Sequence, residues 1–523
     1  MSFIKGQNRD QLVLFPTSLN DFIDSTNEVR QIEMFVNSLN MSEMGFKTVG
    51  KSTEGRPGYN PADLLKLYIY GYMNKVRSSR ELEKESKRNI EVMWLLHNLK
   101  PDHNTISNFR RDNPEAIRKV FRKTVEIAMN YNLIGGTLLA GDSVKLRAQN
   151  SKKNNYNADK IERHVAYIEQ KLSEYNTILA ESDDEKEKKE VTEKIQKQQE
   201  HKEKYQNLSQ TLKESGEYQI STSDPDSRQM IVRNNITEVA YNIQAIDDAK
   251  HCLILDYQPT QHNDTHALYE MVSRASIILQ HTNFMVLYDK GYHTASEIAA
   301  CHQLGVETLV AIPARPVSSQ SPNPAFNFES FTYNQTTDTY TCPAGKELKT
   351  NGTVYTSKSS DFKQYKTSQC KQCPLKSECT TSSKNGRVIQ RSAHIENTER
   401  NKNMIEKYKE IYKKRQSIVE HPFGTIKRQW GFDHTIMKRG IEKVSSDIGL
   451  IFLSYNLRRL MNILSKMNKE GNSHFKNQYF KAILAYFKQL KKWAFNFPDP
   501  FLTSLHGNYL RIFSHEKMFF CYF

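Results

Sequence analysis

The sequence has no long hydrophobic run. Its longest, Ile448 to Leu464, is interrupted by Asn456, Arg458, Arg459 and Asn462, which is too polar for a membrane span. The first residues, MSFIKGQNRDQ, have no apolar core of the kind a secretory signal needs, so secretion is not expected. Cysteine is scarce. Seven among 523 residues make no disulfide framework, and four of the seven cluster with metal-like spacing, which suits a reducing cytoplasm. Negative charge is also in deficit, with 59 Asp and Glu against 74 Lys and Arg, a formal net charge of +15. That excess points to a polyanionic partner, nucleic acid first and an anionic membrane surface as the alternative, and says nothing about fold.

A chain of this length is expected to form two to four domains and can bury its cores without staples. Residues 1–132 read as a helical, DNA-binding domain. Pro61 opens PADLLKLYIYGYM, and Asp102 or Asn104 can cap the helix that restarts after Pro101. Basic residues at helix ends (Arg80, Lys87, Arg88, Arg110, Arg111) either set a helix into a DNA groove or form the solvated face of a plain bundle. Gly135 and Gly136 announce a change. In 133–157 and 215–312 short apolar runs alternate with helical ones, which predicts a mixed α/β sheet. Residues 158–214 interrupt it. Ile161, Val165, Ile168, Leu172, Tyr175 and Leu179 form a heptad seam, and Ser182 with Glu185 has capping-box spacing, so a helical hairpin is expected. Residues 313–392 are cysteine-bearing and rich in Ser, Thr and Asn. Helices resume over 393–465, and 466–523 is a tail without a functional account.

Chemistry centres on YKKRQSIVEHPFGTIKRQWGF, Tyr412 to Phe432. Glu420 is the one acid there, and eleven Lys and Arg stand against five acids between 401 and 443. Such an acid either pairs with an arginine or holds a divalent metal against a bound polyanion. Asp142 and Asp289 each close an apolar strand-like run. If those strands are neighbours, the two carboxylates converge, and with Glu420 they form a set of hard oxygen donors suited to Mg²⁺ or Mn²⁺. Lys427, seven residues after Glu420, shares its helix face, although Pro422 argues against an uninterrupted helix. Asp256 is the main rival acid, Asp247 and Asp248 read as turn residues, and His262, His266, His293 and His421 read as structural. Cys342, Cys370, Cys373 and Cys379 have spacing that suits a structural Zn²⁺ site. Cys252, Cys301 and Cys521 read as ordinary core or tail residues.

Several ordered motifs, GDS (141–143), TSDPDSR (222–228), YNIQ (241–244), YDKGY (288–292) and VEHPFGTIKRQWG (419–431), resemble DDE transposases of bacterial insertion sequences. The resemblance extends to GRPGYNP (55–61) and TISNFRR (105–111). It implies a ribonuclease-H-like mixed sheet flanked by helices, with Asp142, Asp289 and Glu420 as the catalytic, metal-holding triad. It also implies cleavage at the element's ends and joining of a freed 3′-hydroxyl to target DNA. Arg415, Lys427, Arg428 and Lys145 are the expected DNA contacts, double-stranded DNA the partner, a homodimer or larger the assembly, and the nucleoid-associated cytoplasm the location. The family signature Tyr-x2-Arg-x3-Glu-x6-Lys is met by Glu420 and Lys427, whereas Tyr412 and Arg415 each stand one residue too far upstream. Three other readings stay open: a nuclease that cuts without joining, an inactive or domesticated DNA-binding derivative, and a zinc-ribbon regulator.

Overall fold

The computed structural model describes residues 18–47, 58–233, 236–314, 320–356, 361–382, 384–437 and 439–470. The start of the GRPGYNP motif, Cys521 and the tail beyond 470 lie outside the described residues.

Among the described residues seven α-helices come first: α1 (Glu28–Ser38), α2 (Met41–Met44), α3 (Pro61–Met73), α4 (Ser79–Arg88), α5 (Ile90–Leu95), α6 (His103–Asp112) and α7 (Pro114–Asn130). Their starts follow local chemistry. Asn60 caps α3 ahead of Pro61, and the Asp102 carboxylate accepts from the backbone N–H of Asn104 and Thr105 to cap α6. From Leu64 to Met73 every residue of α3 is buried, which marks it as the centre of the bundle. Arg110 is not a groove-reading side chain. It is buried, donating to the Tyr72 hydroxyl at 2.9 Å and the Arg77 carbonyl at 3.1 Å.

The main sheet follows. Its strands are β1 (Leu138–Arg147), β4 (Arg228–Arg233), β5 (Ile236–Asp248), β6 (Leu253–Thr260), β7 (Met285–Tyr288) and β8 (Glu307–Val310), ordered β4-β5-β1-β7-β8 with β6 also on β5. β1 runs antiparallel to β5 and parallel to β7, so the sheet is mixed. The helices α10 (Leu268–Leu279) and α11 (Ala295–Gln303) connect its later strands. Two asparagines close its edges. Asn456 accepts from the Ile254 N–H and donates to the Ile254 carbonyl on β6, and Asn401 does the same for Val310 on β8. Each carboxamide supplies one donor and one acceptor, so an edge residue is paired as if another strand were there.

A short pair, β2 (Asn155–Tyr156) and β3 (Ile220–Ser221), roots the hairpin of α8 (Ala158–Glu181) and α9 (Glu185–Ser215). The expected capping box is corrected here: Asp184 caps α9 by accepting from Lys186 N–H, while the Ser182 hydroxyl bonds Glu187. Asp184 is the residue directly before the first turn, so its shorter reach wins.

A second sheet, entirely antiparallel, contains β9 (Thr332–Asn334), β10 (Thr339–Thr341), β11 (Glu347–Thr356), β12 (Asp361–Lys366) and β13 (Ile389–Ser392), with the short α12 (Lys376–Cys379) beside it. It has its own small core of Phe331, Tyr340, Leu348, Tyr365 and Ile389. The chain then forms α13 (Ile395–Lys407), α14 (Lys409–Gly424), a π-helical turn Thr425–Gln429 and α15 (Ile441–Glu470). Contrary to the sequence expectation, α14 runs through Pro422. Pro422 is buried there, and the backbone hydrogen bond its missing N–H would have made is absent. α15 packs across α3, α6, α7 and β6, joining the helical bundle to the sheet. No described helix is long and apolar enough to cross a membrane.

Candidate active site

Strand register brings the first two acids together. Leu138, Leu139 and Ala140 pair with Met285, Val286 and Leu287 in parallel. The ladder ends two residues before Asp142 and Asp289, which are near enough for the Asp289 charge to act on Asp142. β7 stops at Tyr288, while β1 continues against β5, so Asp142 lies mid-strand where its β7 flank opens. Asp289 turns away and caps the short helix Lys290–Tyr292, its carboxylate accepting from Gly291 N–H at 2.8 Å. Burial pushes the Asp142 carboxyl above its usual range. The Ser143 N–H and Arg415 oppose that shift, and nearby Asp289 adds to it.

The glycine of the GDS motif has a local reason. A Cβ on Gly141 would lie 2.0 Å from Cζ of Tyr288, whose ring is fully buried. Side chains alternate along a strand, so Asp142 shares the other face with Ala140. That face is covered by α14 through Ala140, Leu287, Leu309, Ile418 and Val419.

On α14, Tyr412 donates to the Tyr288 carbonyl at 3.0 Å and Arg415 to Oδ2 of Asp142 at 3.1 Å. Glu420 is not brought to the pair. Five residues after Arg415 it stands about 140° around the helix, exposed, accepting from Gln416 at 2.8 Å. The residue four after Arg415 is Val419, which is buried against the sheet. The one-residue offset in the sequence signature thus appears in space as a carboxylate turned off the sheet-facing stripe. Lys427 donates to the Lys145 carbonyl at 3.3 Å, and Arg428 is exposed on the π turn. Lys145 projects from the opposite face of β1, with its ammonium 3.3 Å from Asp264 and 3.1 Å from the Ser143 hydroxyl. His421 is tied to the Tyr455 hydroxyl at 2.7 Å. The rival Asp256 is buried away from the pair and held by Arg274 at 2.6 Å.

Asp247 and Asp248 are not turn residues. Both are strand residues at the end of β5, paired with Ala140 and Leu139, because β1 extends the ladder to the last residue of the run. Asp248 accepts from the N–H groups of Gly135 and Gly136. Asp247 is fully buried, and neither of its carboxylate oxygens has a hydrogen-bond partner among the described residues. Burial, then Asp142, then Asp248 push it well above the ordinary carboxylate range. The alternation Val239, Tyr241, Ile243, Ala245, Asp247 was the available signal that it belongs to a strand.

Cys342, Cys370, Cys373 and Cys379 line one small apolar pocket with Phe326, Phe331 and Leu348. The Lys346 N–H donates to Cys342 Sγ at 3.3 Å, and a Cβ on Gly386 would lie 2.3 Å from Cβ of Cys370. Burial pushes the Cys370 and Cys379 thiols up, and the neighbouring cysteines add to it. Among the described residues no three His, Cys, Asp or Glu side chains converge tightly enough to hold a metal ion as they stand.

Two family models match the sequence. The transposase DDE domain matches residues 341–461, and the transposase domain DUF772 matches 17–112. The first span contains the four clustered cysteines, Arg415, Glu420 and Lys427, and the second contains α1 to α6. No curated protein matches. Among solved structures, the cryo-EM synaptic complex of piggyBac transposase with hairpin DNA is similar at 11% identity and a TM-score of 0.28, over 88% of this chain and 84% of that one. Two stretches of the chain, residues 17–112 and 341–461, thus resemble transposase domains, the second of the DDE type.

Proposed function

We propose that the enzyme cleaves phosphodiester bonds at the ends of an insertion sequence and joins the freed 3′-hydroxyl to target DNA, with Asp142, Asp289 and Glu420 holding Mg²⁺ or Mn²⁺. The observation that supports this reading is the parallel pairing of Leu138–Ala140 with Met285–Leu287, which ends two residues before Asp142 and Asp289. Carboxylate oxygens are the hard donors such ions prefer, and the Arg415 guanidinium on Asp142 is a cation already drawn to the same place. When bound, the ions supply activation of the attacking water or hydroxyl and stabilisation of the leaving oxygen.

The chain's own contribution is placement and charge. Glu420 reaches the pair if one residue is absorbed between Arg415 and Glu420 by a π turn like that at Thr425–Gln429. Arg415, Lys427 and Arg428 meet DNA phosphates beside the acids, and Lys145 does so from the other face of the sheet. The mixed sheet with α14 is the ribonuclease-H-like core, assembled from 133–157, 215–312 and 393–465. The helices of 1–132 bind the element's ends, 158–214 is an arm, and the four cysteines in 313–392 hold a structural Zn²⁺. Pairing two DNA ends requires at least a homodimer, acting at the nucleoid in the cytoplasm.

A second reading, a transposase-derived protein that binds DNA without cutting it, is favoured by the outward position of Glu420. One experiment separates them: Mg²⁺-dependent nicking of DNA carrying the element's ends, by the natural chain, Asp142→Asn and Glu420→Gln. Cleavage lost in both variants with DNA binding retained supports the triad. Cleavage that survives Glu420→Gln removes Glu420 from it, and binding without cleavage by the natural chain favours the second reading.

A further inference from the structure

We propose that Asp247 is a further carboxylate ligand of the divalent cation site, on the β5 side of Asp142. This rests on the reading of Asp142 and Asp289 as metal-holding residues and adds a residue the family signature does not contain.

The placement comes from backbone register. Asp142 faces Ala245 on β5, and Asp247 faces Ala140, so the two acids are diagonal neighbours on the same face of an antiparallel pair. Diagonal side chains start roughly 7–8 Å apart. Two carboxylates and one ion bound at roughly 2.0–2.6 Å from each span that gap. Asp289 borders Asp142 on the other flank, so the three acids form a row across β5, β1 and the end of β7, beneath α14.

What separates Asp247 from an ordinary core residue is its lack of any partner. It is 0% exposed, and both carboxylate oxygens are unbonded among the described residues. Buried carboxylates elsewhere in this fold have partners: Asp248 two glycine N–H groups, Asp447 Arg77, Tyr72 and the Ile436 N–H, and Asp256 a hydrogen bond from Arg274 on one oxygen with Arg118 3.6 Å from the other, which has no hydrogen bond. A buried carboxyl with no partner is a net cost to folding and is retained where something else uses it. Asp142 has Arg415 for its charge, whereas no basic side chain makes an ion pair with Asp247 among the described residues. A divalent ion between the two acids supplies both the charge and the coordination that Asp247 lacks. With Glu420 turned outward, Asp247 is also the acid best placed to complete the set on the sheet itself.

The test is binding of Mn²⁺ alone to the purified full-length chain, read by electron paramagnetic resonance of free Mn²⁺ and by the Mn²⁺-induced rise in melting temperature. Asp247→Asn is expected to weaken Mn²⁺ binding by about tenfold or more, the lower end of what metal-site substitutions produce, and to abolish most of the thermal shift. Without metal, the same variant is expected to melt no lower than the natural chain, because no hydrogen bond is lost. Asp142→Asn is the control for the underlying reading. If it loses Mn²⁺ while Asp247→Asn keeps it, the role of Asp247 is refuted and the Asp142–Asp289 site stands. If neither variant changes Mn²⁺ binding, or the natural chain binds none, both are refuted. A metal-free Asp247→Asn that melts well below the natural chain means a structural role, and also overturns the proposal. Asp247→Ser, a second variant without the carboxylate, is expected to give the same loss of Mn²⁺ binding, and Mn²⁺ binding that it retains also refutes the role of Asp247.

Discussion

Replacing Gly141 by alanine adds one methyl group next to a catalytic candidate, and the structure says where that methyl goes. Its carbon would sit 2.0 Å from Cζ and 2.2 Å from the hydroxyl oxygen of Tyr288. Carbon atoms pack at about 3.5–4.0 Å, so the phenol must retreat by about 1.5–2 Å. There is little room for that, because Tyr288 is fully buried and its ring centroid lies 4.6 Å from that of Tyr292, also fully buried. β1 cannot yield easily either, being hydrogen-bonded to β5 along 139–147 and to β7 along 138–140. Gly141→Ala is therefore expected to cost about 2–3 kcal/mol, the upper part of the range for overpacking a core. Urea denaturation followed by tryptophan fluorescence reads this as a lower midpoint with an unchanged slope. Tyr288→Leu alone opens a cavity and also destabilises, but in the double variant the methyl has space. The two costs should then fail to add by at least about 1 kcal/mol, as expected for residues in contact. A Gly141→Ala protein as stable as the parent, or two strictly additive costs, refutes the claim that Tyr288 dictates this glycine.

Asp447 is buried and joins the helical bundle to α15 through Arg77 at 2.7 Å, with Tyr72 and the Ile436 N–H as further donors. Asp447→Asn is expected to destabilise by about 3–5 kcal/mol, because it strands the Arg77 charge. Burial pushes the pKa of this carboxyl up, but Arg77 and Arg110 outweigh it and the group titrates below its ordinary range. A depressed folded value means the stabilisation is full above the unfolded pKa of about 3.9 and is lost as pH falls through the lower folded value. The gap in stability between the natural chain and Asp447→Asn should thus stay constant at neutral pH and narrow in acid; a gap independent of pH down to unfolding contradicts the assignment. For the cysteine pocket, one zinc per chain and faster proteolysis within 320–392 after chelation are expected, with Cys373→Ser mimicking the chelated state. Protein free of zinc, with proteolysis indifferent to chelator, removes the metal from that pocket.

Much of the architecture was legible because it is written locally. Pro61 after Asn60 and Asp102 ahead of His103 start helices by capping their own backbone, and the β5–β6 hairpin follows from two apolar runs a short turn apart. The cysteine spacing was legible too, and the four side chains line one pocket. By itself the sequence also put Asp289 at the end of an apolar run and the basic charge around Glu420, whereas Asp142, expected to close its run, lies mid-strand. Tertiary structure decided the rest. Whether Asp142 and Asp289 are neighbours depends on β1 pairing with β7, residues more than a hundred positions apart, which no local pattern encodes. Asp247 looked like a turn because a pair of aspartates after an apolar run usually makes one, and only the longer partner strand keeps it in the sheet. Glu420 shows the same limit from the other side. Its spacing to Lys427 was visible, but the face it occupies is set by which residues of α14 pack on the sheet, and there Val419 and Ile418 take the buried positions because burying apolar area is favourable and burying a carboxylate is costly.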